Sequence, residues 1–344
     1  NIIYIFMGMK MLTPLLFPAA LIYSGITALR NCFFDWGILK SIKTKYKSIG
    51  VGNLSVGGTG KSVVVDYLIS LFNENQNLTV LSRGYKRKTK GVVVASKNCT
   101  YETIGDEPFQ FFKKHNGIDV IVSERRIKAM QAIDQLKNQP DILLFDDVMQ
   151  HRYVETDTLI LTTCYNRPYF SDQHLPLGRL RESKSCASRA QIILVTKCPE
   201  NLTNLQQKKI LKRINPLSHQ SVFFTKIDYS ENVINREKNK SLDSLKFPFL
   251  LITGIDNPDI LVNFLEAKKL NFNHLKFSNH HLFSDSEIKK IESKRSKKLI
   301  LTTEKDYARL EKYFSSDVLF YLPIKMSFFN RTETQRFHSL IQKN

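Results

Sequence analysis

Apolar runs of four or five residues recur through the first two-thirds of the chain, at 78–81, 92–95, 118–122, 142–145, 159–162 and 192–195. The spacing switches to a helical period at 63–72, ahead of the first run, and again between later runs at 107–114 and 124–136. Strand-length runs without polar alternation, separated by helices, predict right-handed βαβ units and a mainly parallel sheet covered on both faces. Ligands on such sheets bind beyond the carboxyl ends of the strands. A composition shift to Lys, Asn and Gln over 201–240, around one aromatic strand at 222–227, marks a hinge or linker. Beyond it, strands at 249–253, 299–302 and 318–322 and a helix at 258–268 form a second, smaller α/β unit. The Lys-rich run 289–298 reads as a solvated helix face.

The first 29 residues break this rhythm. From Ile2 to Leu29 the only charge is Lys10, and Arg30, Phe33, Phe34 and Trp36 follow, as where a helix meets lipid headgroups. Pro14 and Pro18 are expected to break or bend the early part. The favoured reading is a membrane-surface or partly inserted anchor; a single span and a buried core helix are the alternatives. No A-x-A-like site marks a cleaved signal peptide. The expected organisation is an anchor helix over 1–36, a phosphate-loop domain over 37–215 and a C-terminal α/β domain over 216–344.

Composition narrows the classes. At 344 residues, 42% hydrophobic and 24% charged, the chain is globular rather than disordered. Five cysteines without a C-x-x-C pair argue against a disulfide framework and a zinc site, and for a reducing compartment. A net charge of +19 points to an anionic partner, which charge alone does not identify.

The chemistry centres on residues 48–62, S-I-G-V-G-N-L-S-V-G-G-T-G-K-S. Gly57, Gly58, Thr59 and Gly60 form a turn whose amides can converge on one anion at the head of a helix. Lys61 supplies charge to the outer phosphates of a nucleotide, and the Ser62 hydroxyl suits Mg²⁺. The first glycine of the general G-x-x-x-x-G-K-[ST] pattern is replaced by Ser55. Asp146 and Asp147, directly after the strand at 142–145, are the candidate second anchor for Mg²⁺, or else a helix N-cap or turn pair, with Gln150 and His151 close behind. Asp106 and Glu107 in G-D-E-P read equally well as a helix start or as acid–base groups. Residues 175–182, L-P-L-G-R-L-R-E, offer Arg179, Arg181 and Glu182 to phosphates or a metal, or form a solvated basic turn. Arg83 and Tyr85 end another strand and suit a sugar or phosphate, or belong to a basic surface loop. His280 and His281 sit between aromatics, where one is a candidate proton carrier and a surface pair is the plainer account. The T-T-E-K-D run at 302–306 reads as an ionic network that stabilises its domain.

Taken together and in order, V-G-N-L-S-V-G-G-T-G-K-S, S-R-G-Y, G-D-E-P, D-D-x-x-Q-H, L-P-L-G-R-L-R-E, N-H-H-L-F and T-T-E-K-D resemble the tetraacyldisaccharide 4′-kinases of the lipid A pathway, over nearly the whole chain. That family's loop also lacks the first glycine. The resemblance implies transfer of the ATP γ-phosphate to the 4′-hydroxyl of tetraacyldisaccharide 1-phosphate, an anionic glycolipid, at the cytoplasmic face of the bacterial inner membrane. It implies a dyad of Asp106 and His280, with Asp106 taking the hydroxyl proton. It also implies that Ser62, Gln150 and Glu182 ligate Mg²⁺ with Asp146 and Asp147 in its first or second shell, and that no nucleic acid or obligate protein partner is involved. Arg83, Tyr85, Arg179 and Arg181 become contacts to nucleotide or headgroup. Two departures are Val148-Met149, where the family commonly has Gly-Phe, and Asn279, where it commonly has Asp. A membrane-associated ATPase switch without a lipid acceptor is the alternative function, and a basic nucleic-acid-binding module is disfavoured because basic and aromatic residues are scattered.

Overall fold

The computed structural model describes residues 2–74, 76–245 and 247–343, with the side chains of 2–15 and 343 left aside. A nine-stranded sheet forms its centre. Across it run strands Ile324–Phe328, Ser221–Tyr229, Ile192–Thr196, Thr158–Cys164, Lys47–Gly52, Ile142–Asp146, Leu78–Ser82, Asp119–Val122 and Val93–Val94. The seven inner strands are parallel, and the two edge strands are antiparallel. Apart from Ser221–Tyr229, which is buried only over its first half, the inner strands are buried along nearly their whole length, which is why they read as unbroken apolar runs rather than alternating ones. The run at 92–95 yields only the two-residue edge strand Val93–Val94.

Helix Lys61–Phe72 leaves the phosphate loop and buries Val64, Val65, Leu68 and Ile69 against one face of this sheet. On the same side, helix Arg331–Lys343 contributes Phe337, fully buried and edge-on to Phe223 at 5.5 Å between ring centroids.

A second sheet of six strands runs Asn239–Ser241, Asn232–Ile234, Leu319–Leu322, Ile300–Thr303, Phe249–Thr253, Phe272–Lys276. Its last four strands are parallel. The sheets divide the chain differently from the expected 37–215 and 216–344 units. Ser221–Tyr229, Ile324–Phe328 and the terminal helix all join the first sheet, so the chain leaves it after residue 229 and returns at 324. The region 201–240, expected as a linker, holds helix Asn204–Ile214, with a complete Thr203–Gln206 capping box, and strands of both sheets.

The N-terminal helix runs unbroken from Ile2 to Asp35, through both prolines. Among the described residues no helix is long and apolar enough to cross a membrane. From residue 16 onward the helix has two faces. Ala20, Asn31 and Phe34 are buried, the last two against Glu182 and Tyr153, while Phe17, Leu21, Ile22, Ile26 and Leu29 are exposed.

Candidate active site

The carboxyl ends of the parallel strands converge on the phosphate loop. Strand Lys47–Gly52 enters it between Thr158–Cys164 and Ile142–Asp146, so Thr162 and Asp146 flank the loop from either side. Gly50 and Gly52 are glycines because the residues after Asp146 lie on top of them. A methyl group on Gly52 would stand 2.6 Å from Met149 Cβ and 2.7 Å from its amide nitrogen, and one on Gly50 2.7 Å from Val148 Cγ1. The departure at Val148-Met149 is thereby absorbed into the core, leaving the polar positions on either side in place.

The loop is held from within. Asn53 Nδ2 donates to Ser55 O at 2.6 Å and Thr59 Oγ1 at 2.7 Å, and Thr59 Oγ1 lies 3.0 Å from Thr162 Oγ1. Gly57 and Gly60 take φ of +98° and +87°, the left-handed turn that aims amides inward. Lys197 Nζ donates to Gly58 O at 2.6 Å, and the Gly58 amide donates to Asp256 Oδ2 at 3.3 Å. Asp256 also accepts from Arg167 Nη2 at 2.7 Å and lies 4.0 Å from Arg179 Nη1.

Asp146 and Asp147 have opposite surroundings. Asp146 accepts from Ser82 Oγ at 2.8 Å, and burial together with the charges of Asp147 and Glu107 pushes its carboxyl up to about 6. Asp147, with φ of +51°, is turned toward Lys61 Nζ at 3.4 Å and receives both Nη atoms of Arg181, at 2.8 and 3.0 Å. Burial opposes its ionisation, but these cations outweigh it and hold the carboxyl far below the usual range. His151 is pushed down to about 4 by burial and by Arg126 and Arg83.

Gln150 and Glu182 sit beneath the N-terminal helix. Gln150 Nε2 donates to Asn53 O at 2.9 Å, its backbone oxygen accepts from Arg30, and its buried Oε1 has no hydrogen-bond partner. Glu182 is almost wholly buried, ion-paired with Arg189, and accepts from Asn31 Nδ2 at 3.4 Å. Its carboxylate therefore ties the N-terminal helix to the loop 175–182, rather than sharing contacts with Lys61 or Ser62. Tyr23 of the same helix donates to Arg181 O.

Asp106 and His280 meet across the two sheets. Gly105, at φ +93°, lets the chain turn into helix Asp106–Lys114, and a Cβ there would stand 3.0 Å from Gly84 backbone. His280 closes a turn after strand Phe272–Lys276, with φ of +57° and its amide donating to Gly254 O. His280 Nδ1 lies 2.7 Å from Asp106 Oδ2, and the exposed Tyr85 ring stands 5.9 Å from the imidazole. Asn279 beside it is exposed, so the dyad contact forms without a carboxylate at that position. Arg83 is exposed as well.

Sequence reasoning missed two cations here. Helix Glu304–Leu310 brings Lys305 and Arg309, one turn apart, onto the two carboxylates of G-D-E-P. Lys305 Nζ donates to Glu107 Oε1 at 2.8 Å and to Ser62 Oγ at 3.1 Å; Arg309 donates to Asp106. Burial alone would raise Asp106, but His280 and Arg309 hold it down at about 2. The i, i+4 spacing of Lys305 and Arg309 was the available signal, masked because Lys305 belongs to a run that reads as a local ionic network and Arg309 lies just beyond it.

The tetraacyldisaccharide-1-P 4′-kinase family model matches residues 12–344. The tetraacyldisaccharide 4′-kinase of Flavobacterium psychrophilum is 43% identical over 325 residues, covering 94% of each chain. That of Bacteroides fragilis strain YCH46 is 40% identical over 86% of this chain and 82% of its own. A crystal structure of LpxK from Aquifex aeolicus in complex with ATP superimposes with a TM-score of 0.77 at 27% identity, covering 96% of this chain and 99% of that one. With the match running from the N-terminal helix to the last residue, the chain belongs to the tetraacyldisaccharide-1-P 4′-kinase family.

Proposed function

We propose that this chain transfers the γ-phosphate of ATP to the 4′-hydroxyl of tetraacyldisaccharide 1-phosphate, in lipid A biosynthesis. The observation that carries the reading is the contact of Asp106 with His280, 2.7 Å apart, brought together from the two sheets beside the phosphate loop. Family membership leaves the ATPase switch without support.

In the proposed reaction Lys61 and the loop amides hold the outer phosphates of ATP. The 4′-oxygen attacks the γ-phosphorus, the bond to the β-bridging oxygen breaks, ADP departs, and the hydroxyl proton passes to Asp106. His280 orients that carboxylate through Nδ1. A carboxylate at a depressed value is a weak base, which suits a loose transition state in which the proton leaves late. Tyr85 and Arg83, exposed beside His280, are proposed contacts for the sugar or its phosphate, with Arg179 serving nucleotide or headgroup.

The donor set supports Mg²⁺. Ser62, Asp146, Asp147 and Gln150 offer hard oxygens, the buried Gln150 Oε1 lacks a partner, and Asp146 is a buried carboxylate whose ionisation a cation would favour. Bound there, the ion would neutralise charge on the phosphates. Glu182 and Asp147 are the weaker candidate ligands, since the oxygens of the first already serve Arg189 and Asn31 and those of the second Arg181 and Lys61.

Access to a lipid is supported by the helix Ile2–Asp35, whose exposed Phe17, Leu21, Ile22 and Ile26 oppose the face that docks on Arg181 and Glu182. With a net charge of +19, the protein is proposed to lie on the anionic cytoplasmic face of the inner membrane. The test is incubation with γ-labelled ATP and tetraacyldisaccharide 1-phosphate. Label in the lipid is expected, with losses of roughly 10²–10⁴-fold in kcat for Asp106→Ala and His280→Ala. Label released only as inorganic phosphate would refute the kinase reading, and near-normal transfer by both variants would refute the dyad.

A further inference from the structure

Helix Glu304–Leu310 begins at Thr303, whose hydroxyl accepts from the Asp306 amide at 3.3 Å and donates to Asp306 Oδ2 at 2.7 Å. Asp306 is fully buried and also accepts from the Gly254 amide at 2.8 Å, so its carboxylate is fixed from two elements. Arg309, only 2% exposed, donates Nη1 to Asp306 Oδ1 at 3.1 Å. Its other edge faces the dyad. Nε donates to Asp106 Oδ1 at 3.3 Å, Nη2 donates to Asp106 Oδ2, and Nη2 lies 3.2 Å from His280 Nδ1. A buried guanidinium thus stands between a carboxylate that cannot move and one proposed to take a proton.

The lone pairs of Asp106 can be counted. A carboxylate offers about four acceptor positions. On Oδ2, Arg309 and His280 occupy both; on Oδ1, Arg309 Nε occupies one. One position on Oδ1 is left for the substrate hydroxyl. Lysine carries its three N–H donors on one nitrogen, which cannot span Asp306 and both oxygens of Asp106, whereas the planar fork of arginine does so in one geometry.

We infer that Arg309 is a positioning residue for phosphoryl transfer: anchored by Asp306, it fixes the rotamer of Asp106 so that a single Oδ1 lone pair faces the acceptor hydroxyl. The inference rests on the reading of Asp106 as the base. It also makes the second sheet a working part of the site, because Asp306, Gly254 and His280 all belong to that half. The charged groups around Asp106 are His280 and Arg309 in contact, with Glu107 and Lys305 alongside.

The experiment compares the full-length parent with Arg309→Lys, Arg309→Met and Asp106→Asn in transfer from ATP to tetraacyldisaccharide 1-phosphate, with KM for each substrate and kcat from pH 5 to 8. Arg309→Lys keeps a cation but loses the fork. It is expected to fold, to lose at least about tenfold in kcat, and to keep KM for ATP within about threefold. Arg309→Met is expected to lose about 100-fold, with a deficit relative to the parent that widens toward pH 5, as Asp106 loses the charge that keeps it ionised. A purely structural role would leave that deficit the same at every pH. If Arg309→Met does not fold, Arg309→Lys alone decides: parent-like kcat overturns the inference. A folded Arg309→Met with a pH-independent deficit overturns it too. Parent-like kcat in Asp106→Asn overturns the base reading along with it, whereas an inactive Asp106→Asn beside a fully active Arg309→Lys overturns only the positioning role.

Discussion

Gly52 is the point at which the catalytic loop can be displaced without touching any catalytic side chain. In Gly52→Ala the new methyl would lie 2.6 Å from Met149 Cβ and 2.7 Å from Met149 N, well inside van der Waals contact, and the second of these is backbone. Gly52 belongs to a strand paired on both sides, so neither partner can step back by a rotamer change. Overpacking of this kind costs about 1–3 kcal/mol. For a chain of this size that lowers Tm by roughly 1–4 °C. Relief must come from the turn after Asp146 or from Asn53, whose backbone oxygen receives Gln150 and Arg181. Either movement shifts the phosphate loop relative to Asp146 and Asp147, and a displacement of about 1 Å can cost 100-fold in rate. Two other glycines calibrate the effect. In Gly50→Ala the closest atoms are side-chain atoms of Val148 and Thr156, which can adjust, so a smaller loss is expected. In Gly25→Ala nothing lies within 4 Å, and the position is inside a helix, so no loss or a gain of up to about 1 kcal/mol is expected. Thermal unfolding by circular dichroism, ATP binding by calorimetry and kcat would be measured on all three. A Gly52→Ala protein with the parent's Tm, affinity and rate would refute the steric argument.

Two further outcomes follow from the same geometry. Asp106 is depressed from 3.8 to about 2, so the folded state binds this proton less readily than the unfolded chain. The associated stability is present above pH 4 and lost as pH falls through 2; its size is about 2 kcal/mol. The stability gap between the parent and Asp106→Asn should therefore shrink by about that amount from pH 7 to pH 2.5, and a gap independent of pH would contradict it. Phe337→Ala removes a fully buried ring packed on Phe223 and Phe328, at a cost of about 3–5 kcal/mol. Because the rings that pack on it, Phe223, Phe328 and Tyr67, are neither loop nor dyad residues, KM for ATP well below Tm should be unchanged, and a stability loss under 1 kcal/mol would mean that the terminal helix is not part of the core.

The parallel sheet was legible because burial on both faces leaves strands such as Leu78–Ser82 and Ile192–Thr196 with no polar alternation. The phosphate loop was legible because its glycines and Lys61 carry backbone and charge requirements that few sequences meet. Asp106 was not, on its own residues: a helix start explains it equally well, and only the ordered resemblance pointed to His280. The return of Ile324–Phe328 to the first sheet is a pairing across nearly a hundred residues, to which no local pattern is sensitive. The burial of Glu182 was hidden for a different reason. A charged residue in a basic turn reads as solvated until Arg189 and the N-terminal helix are seen to close over it. Arg309 lies beyond the five-residue run that drew attention, and its role depends on a partner some two hundred positions away.

Asp256 carries a consequence for the energetics of nucleotide capture. Its carboxylate takes the Gly58 amide and the Arg167 guanidinium, donors of the kind a phosphate seeks. An incoming triphosphate therefore competes with an anion tethered to the protein itself, and its measured affinity is the intrinsic one reduced by the fraction of molecules in which Asp256 has let go. Association would then be an exchange of ionic partners in which the triphosphate brings more negative charge to the loop than the single carboxylate it displaces. Because Asp256 follows strand Phe249–Thr253, such an exchange would tie the second sheet's segment 254–258 to the arrival of the nucleotide at the first sheet.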